Sequence, residues 1–416
     1  MLIRSVLFFV VTALFAQQVN QPQFSATEAT FPTAGTATIA DGGALDPYWL
    51  SADRGTLLSG GTNTLRKSTD DGATWSVLKA GFGSSIVGVR DLANGELLVS
   101  LAASGGTPGS LWLSSGYPQL GASATWSKVL DAGAGGVGPT SFFSGQWGLS
   151  AYGQYVVAAE YGLQNPPTDS ARFVYFSDDY AQTWTEIFDV GTAASAHIHG
   201  AAYDPWWDAI WVVNGDSAAN RALRVSFNHG STWTVVSTAT QYVAILPMPG
   251  CILLLTDGTP NGVHRVRRTA DRTVNPPQVA YALNWSTALT HVGAMPFRAN
   301  GVDMPALLPF LAQSGPGLIL ATYDGYNFST LWTDSVSYTV KGPQYFVGPT
   351  TGDKYVGTLT DDRQANASRL TIPAAPLPGM AGVIAERTTA INAALAKLTS
   401  TPSGNYMAAP ATSLNA

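Results

Sequence analysis

Ser68-Thr69-Asp70-Asp71-Gly72-Ala73-Thr74-Trp75 is the stretch that decides the fold, because the chain repeats it. It returns as Ser177-Asp178-Asp179-Tyr180-Ala181-Gln182-Thr183-Trp184, and again as Ser226-Phe227-Asn228-His229-Gly230-Ser231-Thr232-Trp233. The shared pattern is Ser-x-Asp-x-Gly-x-Thr-Trp, with Ala181 for Gly in the second copy and Asn228 for Asp in the third. Asp or Asn accepts bonds from backbone N–H groups further along the turn, and Gly supplies the positive φ that a tight turn needs. Apolar runs flank each copy: Phe173–Phe176 and Ala222–Val225 before it, Trp75–Leu78 and Trp233–Val236 after it. Each octapeptide therefore reads as a hairpin between two antiparallel strands, with its Trp closing the gap to a neighbouring sheet.

Degenerate copies fill the intervals. Leu111–Ser114 with Ala124–Trp126 keeps both ends of the phrase around an insertion, and Thr269–Asp271 and Tyr323–Gly325 are weaker echoes. The Trp residues stand at 75, 126, 184 and 233, in steps of 51, 58 and 49 residues. Such steps suit four-stranded propeller blades. A second phrase, Asp46-Pro47-Tyr48-Trp49, echoes Asp204-Pro205-Trp206-Trp207 and reads as the turn between the two inner strands of a blade. Similar inner pairs are expected at Ile86–Val99, Trp147–Ala159, Tyr242–Leu255 and Val292–Thr322.

The expected fold is all-β, a β-propeller of four-stranded antiparallel blades over residues 44–372. Seven blades is the favoured count, with six and eight as alternatives. The last set of short strands (Gln344–Val347, Lys354–Leu359, Arg369–Ile372) lacks a fourth, which Thr36–Ile39 is placed to supply. Closure of this kind removes exposed edges. Residues 1–43 read as an apolar N-terminal segment and linker, and residues 373–416 as a Pro-rich linker, an amphipathic helix over Met380–Leu398 and an extended tail. Ile384, Ile391, Leu395 and Leu398 share one stripe of that helix, which suits docking. The run Val6–Phe15 after Arg4 resembles a signal peptide with a cut after Ala16; retained, it is a docking arm.

Composition narrows the partners. Charged residues are 12% of the 416, about half the usual ~25%. Net charge is −6 with scattered basic residues, so no nucleic-acid partner is expected. Arg265–Arg268 reads as a solvated strand edge, and the single Cys251 as a buried strand residue rather than a nucleophile.

The octapeptide resembles the Asp-box, or BNR repeat, of sialidase-like β-propellers. On that resemblance Ser68, Asp70, Gly72, Trp75, Ser177, Asp179, Trp184, Ser226, Asn228, Gly230 and Trp233 are structural, on a rim away from the ligand channel. The family's hydrolases need three carboxylate-clamping arginines, a Tyr–Glu nucleophile pair, an Asp acid/base and an Arg-Ile-Pro phrase. The phrase is absent, nothing around Arg54 and Arg90 matches, and Glu160-Tyr161 is the nearest nucleophile pair, with its members on opposite strand faces. No catalytic residue is assigned. The stretch His197–Trp233 is similar to BNR-repeat proteins among bacteriophage tail and virion proteins. That likeness implies a non-enzymatic particle component for host attachment. Its expected partners are other virion proteins, through the N-terminal arm and C-terminal helix, and cell-surface glycans, in an oligomer. The alternative is a secreted sialidase-like glycoside hydrolase or lectin.

The densest polar-aromatic patch supplies the candidate binding residues: His197, His199, Tyr203, Asp204, Trp206, Trp207, Asp208 and Asp216. His197 and His199 lie two apart and point to one strand face, where with a carboxylate they form a metal-binding type of set. The plainer expectation is that they line the channel or bond to carbonyls of the next blade, with no metal and no cofactor. Trp206 and Trp207 offer faces for sugar stacking, or plug the space between blades.

Overall fold

The computed structural model describes residues 38–41, 48–50, 56–60, 63–70, 74–133, 142–143, 148–161, 171–191, 197–257 and 260–283, and from 288 to 372 the strands named below with the turn at 324–328. All lie in the body Pro32–Ala375. The N-terminal segment, the C-terminal helix and tail, Arg54 and Gly72 fall outside the described residues.

The fold is a β-propeller of antiparallel sheets taken in chain order. The first sheet runs Tyr48–Leu50, Leu57–Gly60, Leu65–Ser68, Ser76–Lys79; the second runs Ile86–Asp91, Leu97–Leu101, Ser110–Ser115, Thr125–Asp131. In the third, Phe142–Phe143 and Leu149–Tyr152 both pair with Tyr155–Tyr161, followed by Phe173–Ser177 and Thr185–Asp189. The fourth is Ile198–Asp204, Ala209–Asn214, Ala222–Ser226, Thr234–Ser237, and the fifth is Tyr242–Met248, Cys251–Thr256, Gly262–Arg267, Gln278–Ala282. The last set, Tyr345–Val347, Lys354–Leu359 and Ser368–Ile372, is completed by Thr38–Asp41, which pairs Thr38 with Thr371 and Asp41 with Ser368. The edge left open by the end of the chain is thus covered by its beginning.

In the first sheet Tyr48 and Trp49, expected in a turn, lie in the first strand and pair with Ser59 and Leu58, and the sixth sheet departs further from the sequence reading. Its strands are Ala288–Thr290, Ala306–Ala312, Gly317–Thr322 and Ser329–Asp334, with a separate hairpin Phe297–Ala299/Val302–Met304 inserted after the first. The expected inner pair within Val292–Thr322 is therefore the second and third strands. The apolar Gly317–Thr322 run reads as an inner strand because it is as hydrophobic as one, while the true first strand has only three residues.

Burial follows position in each sheet. In the fourth sheet every residue of the first two strands is buried, whereas the last strand is half exposed. Strands covered on both faces read as continuous apolar runs, and outer strands alternate. The core consists of layers between consecutive sheets. Leu58, Leu65 and Leu78 meet Ile86, Val89, Val99 and Trp126 between the first and second. Val157, Val174 and Phe176 meet Ile198, Ile210, Val212 and Trp233 between the third and fourth. Trp126, Trp184 and Trp233 all pack in the layer facing the preceding sheet, as the repeat requires.

The octapeptides share one bonding scheme. Ser68 Oγ donates to Asp70 Oδ1 (2.7 Å), which also accepts from the Thr74 N–H (2.9 Å). The second copy repeats this with Ser177, Asp179 and Thr183 (2.8 and 2.9 Å), and the third with Ser226, Asn228 and Thr232 (2.9 and 2.9 Å). The Ser hydroxyl also accepts from the fifth residue, Ala181 (2.9 Å) or Gly230 (2.8 Å). Fourth and fifth residues are left-handed: Tyr180 and Ala181 at φ 60 and 65, His229 and Gly230 at φ 52 and 92. In the second sheet the missing Asp is replaced from a neighbouring turn. The Glu96 carboxylate accepts from Ser114 Oγ (2.5 Å), Gly116 N (2.7 Å) and Tyr117 N (3.1 Å). The echo in the sixth sheet uses Asp324, which accepts from the N–H groups of Tyr326 (2.7 Å) and Asn327 (2.8 Å).

Two expectations follow for stability. A Cβ on Gly230 would meet Ile187 Cβ at 2.4 Å, at a φ that L-residues resist. Ala181 shows that the left-handed backbone alone is tolerated, so crowding dominates, and Gly230→Ala is expected to cost about 2–3 kcal/mol in urea unfolding. The second concerns acid. Bonds from Thr74 Oγ1, Thr74 N and Ser68 hold the Asp70 carboxyl at about 2. Asp179 is likewise held low: partial burial pushes it up, but the Thr183 and Ser177 bonds outweigh it. A depressed carboxyl contributes stability above its unfolded value of 3.8 that is lost as pH falls through its folded value. Between about pH 4 and 2 the wild type should therefore lose more stability than an Asp70→Asn/Asp179→Asn variant, because Asn, as at position 228, does not titrate. Urea midpoints across that range check this.

Candidate functional site

The patch singled out in the sequence is divided by the strand that carries it. Ile198–Asp204 spans seven residues, roughly 20 Å at ~3.3 Å each, with His197 and His199 at one end and Tyr203–Asp208 at the other.

The second group is committed to the scaffold. Asp204 is fully buried and receives Arg268 of the next sheet through two bonds, Nη1 to Oδ2 (2.5 Å) and Nη2 to Oδ1 (2.7 Å). It also accepts from the Trp206 N–H (3.1 Å) and Trp211 Nε1 (3.3 Å). Arg268 lies between Trp206 and Trp207, 5.3 Å from each ring, and donates Nε to the Met248 carbonyl. Its neighbour Arg265 stacks on Tyr326 (3.9 Å) and donates to the Gly325 carbonyl. Two members of the basic cluster expected at a solvated edge, Arg265 and Arg268, thus join sheets instead, while Arg267 is exposed as expected. The sequence hides this because its acceptors lie about 60 residues away in both directions. Trp207 is 5% exposed and packs in the layer between the fourth and fifth sheets, whereas Trp206 is 40% exposed. Asp208 accepts from Tyr203 OH (2.7 Å) and lies 2.8 Å from His229 Nε2. The His229 ring packs against Tyr155 and Phe176.

The first group has a different character. His197 and His199 are nine-tenths buried, their ring centroids 4.4 Å apart. His197 Nδ1 lies 3.6 Å from Asp216 Oδ2, and His199 Nε2 lies 2.8 Å from Asp216 Oδ1. Neither nitrogen makes a well-directed hydrogen bond, although His199 Nε2 stands at ion-pair distance from the carboxylate and helps to lower Asp216. The bonds to carbonyls expected of this pair are not made by these two atoms. Asp216 is reached from the second strand of the same sheet. Gly215 N–H donates to the His197 carbonyl (2.9 Å), which lays the turn after Asn214 beside the start of the first strand. Gln241 Nε2 donates to Asp216 Oδ1 (3.1 Å). Burial, then the neighbouring His199, push His197 down to about 4, so it is neutral at pH 7 and faces Asp216 as an uncharged ring.

Two groups border this set: Asp257, which sequence reasoning passed over, and Tyr161, which it named only as half of a nucleophile pair. Burial, and then the Asp216 charge, push Asp257 up to about 6. Tyr161, raised by burial and by Asp216 and Asp257, sets its ring 5.8 Å from His197, edge to face. Tyr161, Asp216 and Asp257 close or follow the second strands of the third, fourth and fifth sheets. Tyr161 ends its strand, Asp257 is the first residue past its own and Asp216 the second, so the three hold neighbouring rather than identical positions in their sheets.

Glu160 is a structural residue. Its buried carboxylate accepts from the N–H groups of Gly133 (2.6 Å), Arg172 (3.1 Å) and Phe173 (3.3 Å), and burial nonetheless raises its pKa. Cys251 is buried, and loss of solvent pushes its thiol up to about 12, which fits a packing role.

No family model and no curated protein matches the chain. Solved structures do. A chain of the mitotic checkpoint complex is 10% identical, covering 85% of this chain and 95% of that one, with TM-score 0.50. The extracellular domain of the one-component system BT4673 from B. thetaiotaomicron is 11% identical, TM-score 0.50, with 81% of this chain matching 40% of that one. The WD40 β-propeller domain of Doa1 matches 79% of this chain and 93% of its own at 11% identity and TM-score 0.47. At such identities the likeness concerns the fold alone.

Proposed function

We propose that this chain is a binding scaffold: a propeller on a phage-like particle that meets a host-surface glycan or protein through the face carrying His197, His199, Asp216 and Asp257. The observation that carries this is the convergence of Tyr161, of His197, His199 and Asp216, and of Asp257 from three consecutive sheets, with two buried rings whose nitrogens make no well-directed hydrogen bond. Elsewhere the polar residues of the patch are spent on the scaffold, as Asp204 and Asp208 are. The particle setting is supported by the resemblance of His197–Trp233 to phage BNR-repeat proteins, with the segments outside the propeller as its anchors. Mass spectrometry of purified particles, set beside the culture supernatant, tests the setting. Recovery in the particle, lost on deletion of 380–416, is the expected result; recovery only as free protein starting at Gln17 would move it to the secreted reading. Binding of the full-length protein to host envelope polysaccharide is expected to be lost in Asp216→Ala and kept in Trp206→Ala.

One observation favours hydrolysis as a second reading. Asp257 is raised to about 6 while Asp216 is lowered despite its burial, by His199 and His197, and carboxyls pushed apart in this way suit an acid and its partner. Sugar release from the same polysaccharide, abolished by Asp257→Asn, would establish it.

A further inference from the structure

We infer that His197, His199 and Asp216 form a binding site for a divalent transition-metal ion of the zinc class. The argument starts from an unmet cost. A buried polar atom without a partner is destabilising by about 1–3 kcal/mol, and here two buried ring nitrogens share one carboxylate without a well-directed hydrogen bond to it. They are ring nitrogens of two nine-tenths buried imidazoles, and both face the same carboxylate. A chain that wanted only a packed core would have apolar residues there; one that wanted a hydrogen-bonded pair would aim the rings at carbonyls.

The spacing suits a cation. Ligand atoms of the three residues all lie within 4.8 Å of one another. Around a tetrahedral ion with bonds of ~2.0–2.1 Å, two ligand atoms stand roughly 3.3 Å apart. Each histidine stands near that spacing from its own Asp216 oxygen, His197 Nδ1 at 3.6 Å from Oδ2 and His199 Nε2 at 2.8 Å from Oδ1, and an ion would draw the set in from its 4.8 Å span by side-chain rotation. Two imidazoles with one carboxylate select zinc and its first-row neighbours over calcium or magnesium, which take all-oxygen sets. Three protein ligands leave a fourth position for water or for a group of the bound partner.

The support around the set is also of the right kind. Ligating carboxylates are held by outer hydrogen bonds, and Gln241 donates to Asp216. Gly215 ties the Asp216 turn to the His197 backbone, so one ligand is anchored to another through the main chain. At 40% exposure the Asp216 side chain reaches solvent, which gives an ion a way in. The contrast with His264 is informative: it is also buried, but its nitrogens meet Tyr242 OH (3.1 Å) and the Pro260 carbonyl (3.1 Å), so it has no unmet need.

The test uses the full chain stripped with a chelator and titrated with cobalt(II), whose visible absorption reports ligand geometry. One equivalent should give the bands of a four- or five-coordinate site, and zinc should displace it. Losing an outer-shell partner of a metal ligand weakens binding by about 10–100-fold, so losing a ligand, in His199→Gln or Asp216→Asn, should weaken it by more than about 100-fold. His264→Gln should bind as the wild type does. Zinc should also raise the melting temperature of the wild type but not of Asp216→Asn, a partly exposed position where the substitution keeps the fold. Absence of stoichiometric bands, or cobalt binding unchanged in both ligand variants, overturns the site. Glycan or partner binding plays no part in this readout, so the metal site stands or falls apart from the function proposed above.

Discussion

Arg268→Ala is expected to lower stability by about 3–5 kcal/mol, seen as a shift of the urea midpoint with little change of slope. The reason lies in what remains. Asp204 is fully buried, and without the guanidinium its carboxylate keeps only the N–H groups of its own turn and Trp211 Nε1. Arg268 also gives up Nε to the Met248 carbonyl and its contacts with the Trp206 and Trp207 rings. An isolated buried charge costs far more than a pair, so removing one partner is the costly step. Asp204→Ala should cost a similar amount, and the double variant much less than the two added together, because each single change leaves the other charge stranded. A sum of the two single effects would show that the residues act separately and that the pair does not couple the fourth and fifth sheets.

This pair also marks where the sequence stops being readable. Octapeptides, Trp spacing and the closing strand were legible because each is local: Ser68, Asp70 and Thr74 bond within one turn, and the pattern travels with the chain. The same is true of His197 and His199, two residues apart on a strand. What was not legible depends on pairing across sheets. Arg265–Arg268 reads as a solvated edge because Asp204 and Tyr326 are distant in sequence, and the sixth sheet reads wrongly because a three-residue first strand carries almost no pattern. The candidate patch was read as one site because its residues are contiguous. A strand separates them by its own length, so contiguity there is evidence against a shared pocket. Asp257 feels His199 and Asp216 across sheets, and no local feature of Cys251–Asp257 announces it.

Gly215→Ala is expected to cost about 3–4 kcal/mol and to remove metal binding altogether, although the residue carries no ligand atom. A Cβ there would stand 2.5 Å from the carbonyl carbon and oxygen of Asn220 and 2.6 Å from Arg221 N, at φ +84. These are backbone atoms and cannot rotate aside. They also belong to a closed turn: Asn214 Nδ2 donates to the Asn220 carbonyl (2.8 Å), Arg221 N–H to the Ser217 carbonyl (2.9 Å), and Ser217 Oγ to Asn220 Oδ1 (3.0 Å). Making room means opening that turn, and the Gly215 N–H bond to His197 goes with it. Asp216 then leaves the two imidazoles. Ser217→Ala is the matched control, since it loses one exposed side-chain bond worth about 1 kcal/mol and keeps the backbone path through Gly215. Cobalt bands lost in the first variant and retained in the second would place the constraint in the glycine. Equal loss in both would put it in the turn's side-chain bonds, and bands retained in both would mean that Asp216 reaches the ion without help from its loop.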